Sequence, residues 1–495
     1  MKIFNKNRII AYFFLLIMYC FFIINFKGVV KTTYNTLIKT KNLQEAGKQI
    51  EESYRTSFKN RDYFIDIYGL VQLAFNKSMI GNFEFIKDKQ GYIHMLNQNL
   101  DSKLFNEEII KLDNLLENKN IPLLYVQVPL RNIENYTKYT SDISQNENEV
   151  INEVINNLKE NRIKFLDIRN NIKNKEYPAE DVYFKTDLHM NTQTELWLLQ
   201  KLILTLENDF NLGFSNKDQI FNLDNYNIIS KKMLGNLGRS TGKYYVGLDS
   251  FELLFPNFST EFKISNYSNN STKVGEFWNT IMNGYDSNSN DYRTYWVTDY
   301  LQWPSPYYNI ENKNVQNNNI LIIMDSLGLR TAAYLSLLCN NVTVLDSRYF
   351  NGINYVEKAL DNQKYDAVII LQSTNLLFSK LLPNDLEAHI ISDNTPLYIK
   401  RDEKYLINIT VKNDGDLIWN NANQIRLCIW QDGIDYGYRI NIPEDVNINP
   451  GEEYTFVLQN FQAPPGNSTY LEYQMVQEGI AYFGDKKRVD IAVEN

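Results

Sequence analysis

The sequence predicts an α/β protein built on a doubly wound parallel β-sheet, followed by a smaller all-β domain. Short apolar segments alternate with amphipathic helical segments in two blocks, residues 105–168 and 318–371. Strands and helices that alternate in this way form a parallel sheet covered on both faces. After residue 392 the helical pattern stops. A length of 495 residues also exceeds that of one ordinary domain.

The N-terminus predicts a transmembrane helix. Three basic residues within the first eight positions precede an uncharged apolar run, Ile9 to Phe26. This run is long enough to span a bilayer, and no small-residue cleavage motif follows it. We therefore expect a retained signal anchor over residues 1–30, with a cleaved signal peptide as the alternative. Residues 31–60 are expected to form a polar stalk, and the rest of the chain to lie outside the cytoplasm.

A main α/β domain is predicted over residues 61–392. Its first block is expected to contain helices and strands in alternation at 105–120, 121–129, 147–162 and 163–168. The second block is expected to begin with a strand and to alternate through 318–326, 328–339, 341–347, 355–362 and 365–371. Between the blocks, residues 222–318 are rich in tyrosine, asparagine and glycine, and we predict a β-rich inserted lobe there.

Residues 393–495 show short alternating strands separated by turn sequences such as "NDG", "QDG", "NPG" and "PPG". Turn signals spaced about ten residues apart over roughly one hundred residues favour an immunoglobulin-like β-sandwich.

Charge and cysteine content exclude several kinds of protein. A net charge of −9 argues against nucleic-acid binding, which needs a basic surface. The cysteines Cys20, Cys339 and Cys428 have neither the spacing of a zinc site nor that of a disulfide framework. We expect no metal and no cofactor.

His189 is one of only three histidines and follows Asp187 by two residues. A carboxylate beside a histidine fixes its tautomer and stabilises the imidazolium that forms when the ring acts as a base. Thr192 and Glu195 are spaced as a capping box, which would anchor the next helix just beyond the histidine. The alternative is an ordinary surface or capping pair. His94 and His389 show no such setting, and we expect both to be ordinary.

Ser326 ends a strongly apolar strand and stands where a helix begins. In open α/β sheets this edge binds ligands, and the serine N–H with the helix N-terminus would face a developing oxyanion. Serine needs a base, and His189 is the candidate. The alternative for Asp325-Ser326 is a turn or helix cap. The glycine-rich segment Lys231–Lys243 lacks Walker spacing, so we discount a phosphate cradle there.

The order of these motifs resembles the SGNH-hydrolase-like proteins of alginate O-acetylation (the AlgX/AlgJ group) and the related bacterial DHHW proteins. The resemblance extends over about residues 64–372. It depends on segments in the same order: "FIKDKQGYIHML", "LLYVQVPLR", "VYFKTDLHMN", "MLGNLGRSTGKYYVGLDSFELLFPNF", "LIIMDSLG" and "VLDSRYF". Two positions depart from the family pattern: Met190 replaces a tryptophan, and Met324 replaces the glycine before Asp-Ser.

The resemblance implies a catalytic triad of Asp187, His189 and Ser326, with Asn375 as a further oxyanion donor. The C-terminal region resembles bacterial immunoglobulin-like domains related to the four-tryptophan domain, through "NDGDLIW", "NPGEEYTF" and "YQMVQEGIAYFGD". A role for that region in holding polysaccharide and a role as a spacer are both open.

These observations predict a membrane-anchored serine O-acetyltransferase, acting outside the cell on a surface or secreted polysaccharide through an acyl-enzyme. The resemblance implies that a multi-spanning O-acyltransferase (MBOAT) partner supplies the acyl group. The alternatives are a polysaccharide O-acetyl esterase with the same triad and a non-catalytic carbohydrate-binding surface protein.

Overall fold

The computed structural model describes residues 61–494, except for 82–83, 97–100, 129–130, 135, 140–145, 178–180, 283–288, 302–304, 351–354, 374–385, 465 and 479–480. The predicted signal anchor, the predicted stalk and Asn375 lie outside the described residues. Within the described part, no helix has the length and apolar character needed to cross a membrane.

The helices and strands follow one another from residue 61 to residue 494. The helices are α1 Arg61–Ala74, α2 Lys103–Glu117, α3 Glu147–Glu160, α4 Arg169–Lys173, α5 Thr192–Phe210, α6 Lys217–Ile220, α7 Asn236–Thr241, α8 Lys243–Val246, α9 Phe277–Thr280, α10 Leu329–Leu335 and α11 Tyr355–Asn362. The strands up to the end of the central sheet are β1 Met79–Ile80, β2 Phe85–Lys87, β3 Ile93–Met95, β4 Leu123–Val128, β5 Lys164–Asp167, β6 Tyr226–Met233, β7 Asp249–Pro256, β8 Phe262–Asn266, β9 Ser271–Gly275, β10 Tyr307–Asn312, β11 Asn319–Met324, β12 Asn341–Asp346 and β13 Ala367–Ser373. The C-terminal strands are β14 Ala388–Asp393, β15 Tyr398–Lys400, β16 Tyr405–Asn413, β17 Ile425–Gln431, β18 Ile434–Asn441, β19 Glu453–Phe461, β20 Ser468–Gln477 and β21 Ala481–Glu494.

The central sheet has eight strands in the order β5-β4-β13-β11-β12-β10-β8-β9. The first five are parallel to one another, and the last three pair antiparallel. The predicted strands and helices of both α/β blocks are therefore present. Since β11 lies between β13 and β12, the residues that follow β11 emerge at the middle of the sheet.

Both faces of the sheet are buried, as a doubly wound fold requires. Leu321 and Ile323 of β11 belong to one core with residues of α2, α3 and α11. Ile320 and Ile322 belong to the other core with residues of α5 and α10. Alternate residues of a strand point to opposite faces, so a strand buried on both sides is apolar throughout, and the sequence shows this.

The segment 222–318, predicted as a β-rich inserted lobe, does contain five strands, but most of them are not separate from the central sheet. Among the strands described in this segment, only β6 and β7 form a sheet of their own, whereas β8, β9 and β10 extend the central sheet. β8 buries alternate residues, Phe262 and Ile264, against the core of the α/β domain. These strands join the sheet through antiparallel pairing to β12, a partner that lies later in the chain and that local pattern does not reveal.

The C-terminal region is rich in β-structure, as expected. A three-stranded sheet, β14-β16-β19, and a five-stranded sheet, β15-β21-β20-β17-β18, contribute residues to one core. Trp419 is fully buried in that core. The assignment of this region to the immunoglobulin-like class stays a prediction.

Candidate active site

His189 lies in the loop between α4 and α5. The Phe184 N–H donates to the carbonyl of His189 (3.2 Å), and the Asn191 N–H donates to the carbonyl of Val182 (2.9 Å). The ring Nδ1 of His189 is 2.6 Å from Oδ1 of Asp187. Both side chains are buried, with exposures of 7% and 1%. A buried polar or charged group needs a hydrogen-bond partner, and here Asp187 and His189 are partners of each other.

Asp187 accepts hydrogen bonds on both oxygens. Oδ1 also accepts the backbone N–H of His189 (3.2 Å), and Oδ2 accepts the backbone N–H of Asn236 (2.8 Å). The Tyr295 hydroxyl is a further hydrogen-bond partner of this carboxylate. Burial alone would raise the pKa of Asp187, but the hydrogen bond and charge of His189 and the Asn236 N–H together lower it to about 2.

The glycine-rich segment Lys231–Lys243 wraps around this carboxylate. A Cβ on Gly235 would lie 2.4 Å from the Cβ of Asp187, closer than packed atoms allow. The Gly238 N–H donates to the carbonyl of Thr186 (2.9 Å), and the Gly235 N–H donates to the Thr186 hydroxyl (2.8 Å). Within this segment, Gly235 and Gly238 allow the backbone to approach the residues just before His189.

A second carboxylate fixes the same loop from the other side. Asp249 accepts the backbone N–H groups of Lys185 (2.7 Å) and Thr186 (2.8 Å). The buried Arg131 guanidinium donates to the carbonyls of Phe184 (3.0 Å) and Lys185 (3.1 Å). Burial raises the pKa of Asp249. These contacts could not be predicted from the sequence, because each joins residues more than fifty positions apart.

Ser326 is the second residue after β11 and starts a short 3₁₀ turn that leads into α10. The turn is held by Asp325, whose Oδ1 accepts the Leu327 N–H (2.8 Å) and whose Oδ2 accepts the Ser373 N–H (2.9 Å). Ser326 is partly exposed, unlike its buried neighbours. Asp325 thus caps the turn, as the alternative interpretation of Asp-Ser holds, and it leaves the serine at the edge of the sheet.

The histidine and the serine are neighbours in space. The Nε2 of His189 lies 3.3 Å from the carbonyl oxygen of Ser326, across 137 positions of sequence. Asp187, His189 and Ser326 therefore form one cluster, in which the histidine ring contacts the serine backbone. Asn375, the further predicted donor, lies outside the described residues.

The predicted capping box at Thr192 and Glu195 is wrong. The N-cap of α5 is Asn191, whose side chain accepts the Thr194 N–H (2.9 Å). The Thr192 hydroxyl instead donates to the carbonyl of Glu252 (2.8 Å). The Glu195 carboxylate is occupied by Arg330 (2.9 Å). The spacing of Thr192 and Glu195 predicted the cap, but in the fold the Glu195 carboxylate binds Arg330, which is distant in sequence.

The other two histidines also have aspartate partners, which the sequence interpretation missed. His94 Nε2 lies 2.8 Å from Asp88, and His389 Nδ1 lies 2.6 Å from Asp414. The first pair is buried and the second is partly exposed. An aspartate neighbour therefore does not distinguish His189; its proximity to Ser326 does.

The two methionines that depart from the family pattern are buried at the site. Met190 follows His189, and Met324 is the last residue of β11. A Cβ on Gly328 would lie 2.6 Å from the Cβ of Met324, so the larger residue at 324 makes glycine necessary two residues after the serine. Among the described residues, no group of histidine, cysteine and acidic side chains is arranged to hold a metal ion.

A part of the chain that contributes residues to this site matches a known protein family. Residues 94–194, which include Asp187 and His189, match the family model of the SGNH hydrolase-like domain, acetyltransferase AlgX. The predicted resemblance is thereby confirmed for this part of the chain. No curated protein matches the chain in sequence.

Several solved structures are similar to the chain. They include Bacillus cereus PatB1 with a sulfonyl adduct (18% identity, TM-score 0.48), covering 59% of this chain and 94% of that one. A DHHW family protein from Eubacterium siraeum has 14% identity, a TM-score of 0.44, and coverages of 58% and 88%. The O-acetyltransferase domain of Pseudomonas putida AlgJ has 10% identity, a TM-score of 0.36, and coverages of 59% and 91%. Each of these likenesses is distant.

Proposed function

We propose that this chain, whose residues 94–194 match an SGNH hydrolase-like acetyltransferase domain, is a serine O-acetyltransferase that modifies a cell-surface or secreted polysaccharide. The observation that carries the proposal is the buried Asp187–His189 pair, whose second ring nitrogen, Nε2, lies 3.3 Å from the carbonyl oxygen of Ser326. An oriented base beside a serine at the carboxyl end of a parallel strand is the arrangement that nucleophilic acyl transfer needs.

The first half of the reaction would load the acyl group onto the enzyme. Nε2 of His189 takes the proton of the Ser326 hydroxyl as its oxygen attacks the acyl carbonyl of the donor. Asp187 stabilises the imidazolium, which then protonates the leaving group. The Ser326 N–H and the following turn face the oxyanion that develops, with Asn375 as a further proposed donor.

The second half would pass the acyl group to the sugar. His189 takes the proton of a sugar hydroxyl as that oxygen attacks the Ser326 ester. The imidazolium then returns a proton to the Ser326 oxygen, so that the acylated sugar leaves and the serine is restored. An O-acetyl esterase would use the same residues with water as the acceptor.

We further propose that the apolar N-terminal run anchors the protein at the membrane and that the catalytic region lies outside the cytoplasm. A multi-spanning O-acyltransferase partner would then deliver the acyl group across the bilayer. The charge-free stretch of Ile9 to Phe26 and the basic residues before it support this arrangement.

The test is release of acetate from p-nitrophenyl acetate by the full-length chain, compared with Ser326→Ala and His189→Ala. Both variants should lose activity by about a hundredfold or more. His389→Ala is the matched control, because it removes another aspartate-paired histidine from the C-terminal region, and it should retain activity. Activity that survives both substitutions at the site would refute the triad.

Transfer is distinguished from hydrolysis by adding oligosaccharide acceptors to the same reaction. Acetylated oligosaccharide detected by mass spectrometry, at the expense of free acetate, would establish a transferase. Acetate release that no acceptor diverts would support the esterase. A folded parent protein that is inactive in both assays would favour a binding role.

A further inference from the structure

The helix that follows the serine and the helix that follows the histidine are joined by buried charges. Arg330 lies four residues after Ser326, and Glu195 lies six residues after His189, in the first turn of α5. The Arg330 Nη2 is 2.9 Å from the Glu195 Oε1, and the side chains are only 1% and 2% exposed. The Thr331 hydroxyl donates to the second oxygen of Glu195 (3.1 Å).

Arg330 also contacts the histidine loop directly. The same Nη2 donates to the carbonyl of Met190, the residue after His189. The guanidinium lies over the rings of Phe184 and Phe251, at 5.6 and 5.5 Å from their centroids. Phe184 is the residue whose N–H binds the His189 carbonyl. The arginine therefore contacts both the start and the end of the loop that presents the base.

A buried ion pair is a costly way to stabilise a protein. Desolvation of two charges offsets most of their attraction, and an apolar pair of similar volume often gives equal stability. The ion pair does, however, fix the relative positions of the groups it joins, because a planar guanidinium can bind several acceptors at once. Here the acceptors belong to the two segments that carry Ser326 and His189.

We propose that Arg330 and Glu195 are positioning residues that set the separation between Ser326 and His189. This inference depends on the proposed function, because the separation matters only if these two residues exchange a proton. A small displacement of a catalytic base reduces the rate of the chemical step far more than it reduces substrate binding.

The experiment separates position from stability by changing one partner or both in the full-length chain. Arg330→Met alone leaves the Glu195 carboxylate buried without its cation, so the thermal midpoint of unfolding should fall. The double variant Arg330→Met/Glu195→Met removes both charges and should recover most of that midpoint. We expect its kcat for p-nitrophenyl acetate to stay about tenfold or more below that of the parent, with KM changed less than about twofold.

A conservative variant and a matched control accompany the double variant. Arg330→Lys keeps the charge but loses the planar fork, and we expect a kcat between those of the parent and the double variant. Lys217→Met/Glu207→Met removes an ion pair (2.6 Å) at the far end of the same helix, α5. This control should leave kcat unchanged.

Hydrogen exchange of the backbone amides in residues 182–191 tests the inference without relying on catalysis. In the double variant this segment should exchange faster, by about tenfold, while the thermal midpoint stays near that of the parent. Unchanged exchange, or faster exchange with an unchanged kcat, would overturn the positioning role. If the parent hydrolyses no acetyl ester, the proposed function fails, and the exchange result alone decides whether the pair holds the loop.

Discussion

At the scale of single residues, the site is organised around the carboxylate of Asp187. Its oxygens accept hydrogen bonds from His189, from the Asn236 N–H and from Tyr295. The sequence predicted the pair of Asp187 and His189 because the two residues are close along the chain. It did not predict Asn236 or Tyr295, which come from segments 49 or more positions away and reach the carboxylate only in the folded chain.

Acid should weaken the contribution of Asp187 to stability. Its folded pKa of about 2 lies below the ordinary 3.8, so the stabilisation is complete above the ordinary value and is lost as the pH falls toward 2. The loss is about 2 kcal/mol. In urea unfolding, the difference in free energy between the parent and Asp187→Asn should therefore shrink between pH 5 and pH 2.5. The same replacement at the exposed Asp218 is the control, and a difference independent of pH at Asp187 would contradict the lowered pKa.

Gly235→Ala should damage the site without removing any functional group. The added Cβ would lie 2.4 Å from the Cβ of Asp187 and 2.5 Å from the carbonyl of Thr186, so the carboxylate must move. We expect a loss of about 1–3 kcal/mol of folding free energy and a reduced kcat for acetyl ester hydrolysis. Gly213→Ala is the control, because no atom lies within 4 Å of the position of its Cβ. Equal behaviour of the two variants would show that the glycine segment is not in close contact with Asp187.

At the scale of elements, helix α1 packs on the glycine segment with unusually close backbones. A Cβ on Gly69 would lie 2.5 Å from the carbonyl of Thr241, and a Cβ on Gly242 would lie 2.4 Å from the carbonyl of Ile65. The Lys243 N–H donates to the buried carboxylate of Asp66 (2.8 Å). α1 therefore supports α7, whose first residue, Asn236, binds Asp187.

This packing reverses the usual effect of a glycine-to-alanine change in a helix. Alanine normally stabilises a helix interior by about 1 kcal/mol relative to glycine. Because the Cβ would collide with the Thr241 backbone, Gly69→Ala should instead destabilise the protein by about 1–3 kcal/mol in denaturant unfolding. Leu73→Ala, at a 44% exposed position of the same helix, should have a much smaller effect. A stabilising Gly69→Ala would show that the two backbones are further apart.

Helices and strands were predicted correctly where the local pattern of apolar residues agrees with the burial of those residues in the fold. β4, β11 and β13 are buried on both faces and have mainly apolar sequences, while α2 and α3 show the period of an amphipathic helix. The residues of β8 to β10 were assigned to an inserted lobe. The pairing of β10 with β12, which joins these strands to the central sheet, cannot be predicted from the local sequence. The cap of α5 was assigned to Thr192 for the same reason, since the partner of Glu195 lies 135 positions away.

At the scale of the whole molecule, the predicted order of a parallel α/β region followed by a β-rich region is present. The convergence of Ser326 and His189 follows from topology: β11 is in the middle of the sheet, and the loop before α5 reaches the same edge. The sequence predicted that both residues lie at the ends of their segments, but it did not predict the distance between them. That distance depends on helix packing, including the contact of Arg330 with Glu195.

The position of α1 has a practical consequence for expressing this protein. A gene shortened to begin beyond Ala74 would delete the cover over the backbone of Thr241 and Gly242, and with it the Asp66 carboxylate that binds Lys243. The shortened chain would still contain Asp187, His189 and Ser326, yet the support behind Asp187 would be missing. An N-terminal boundary chosen ahead of Arg61 keeps that support, so that poor activity in the resulting protein reports on the chemistry of the site rather than on a lost helix.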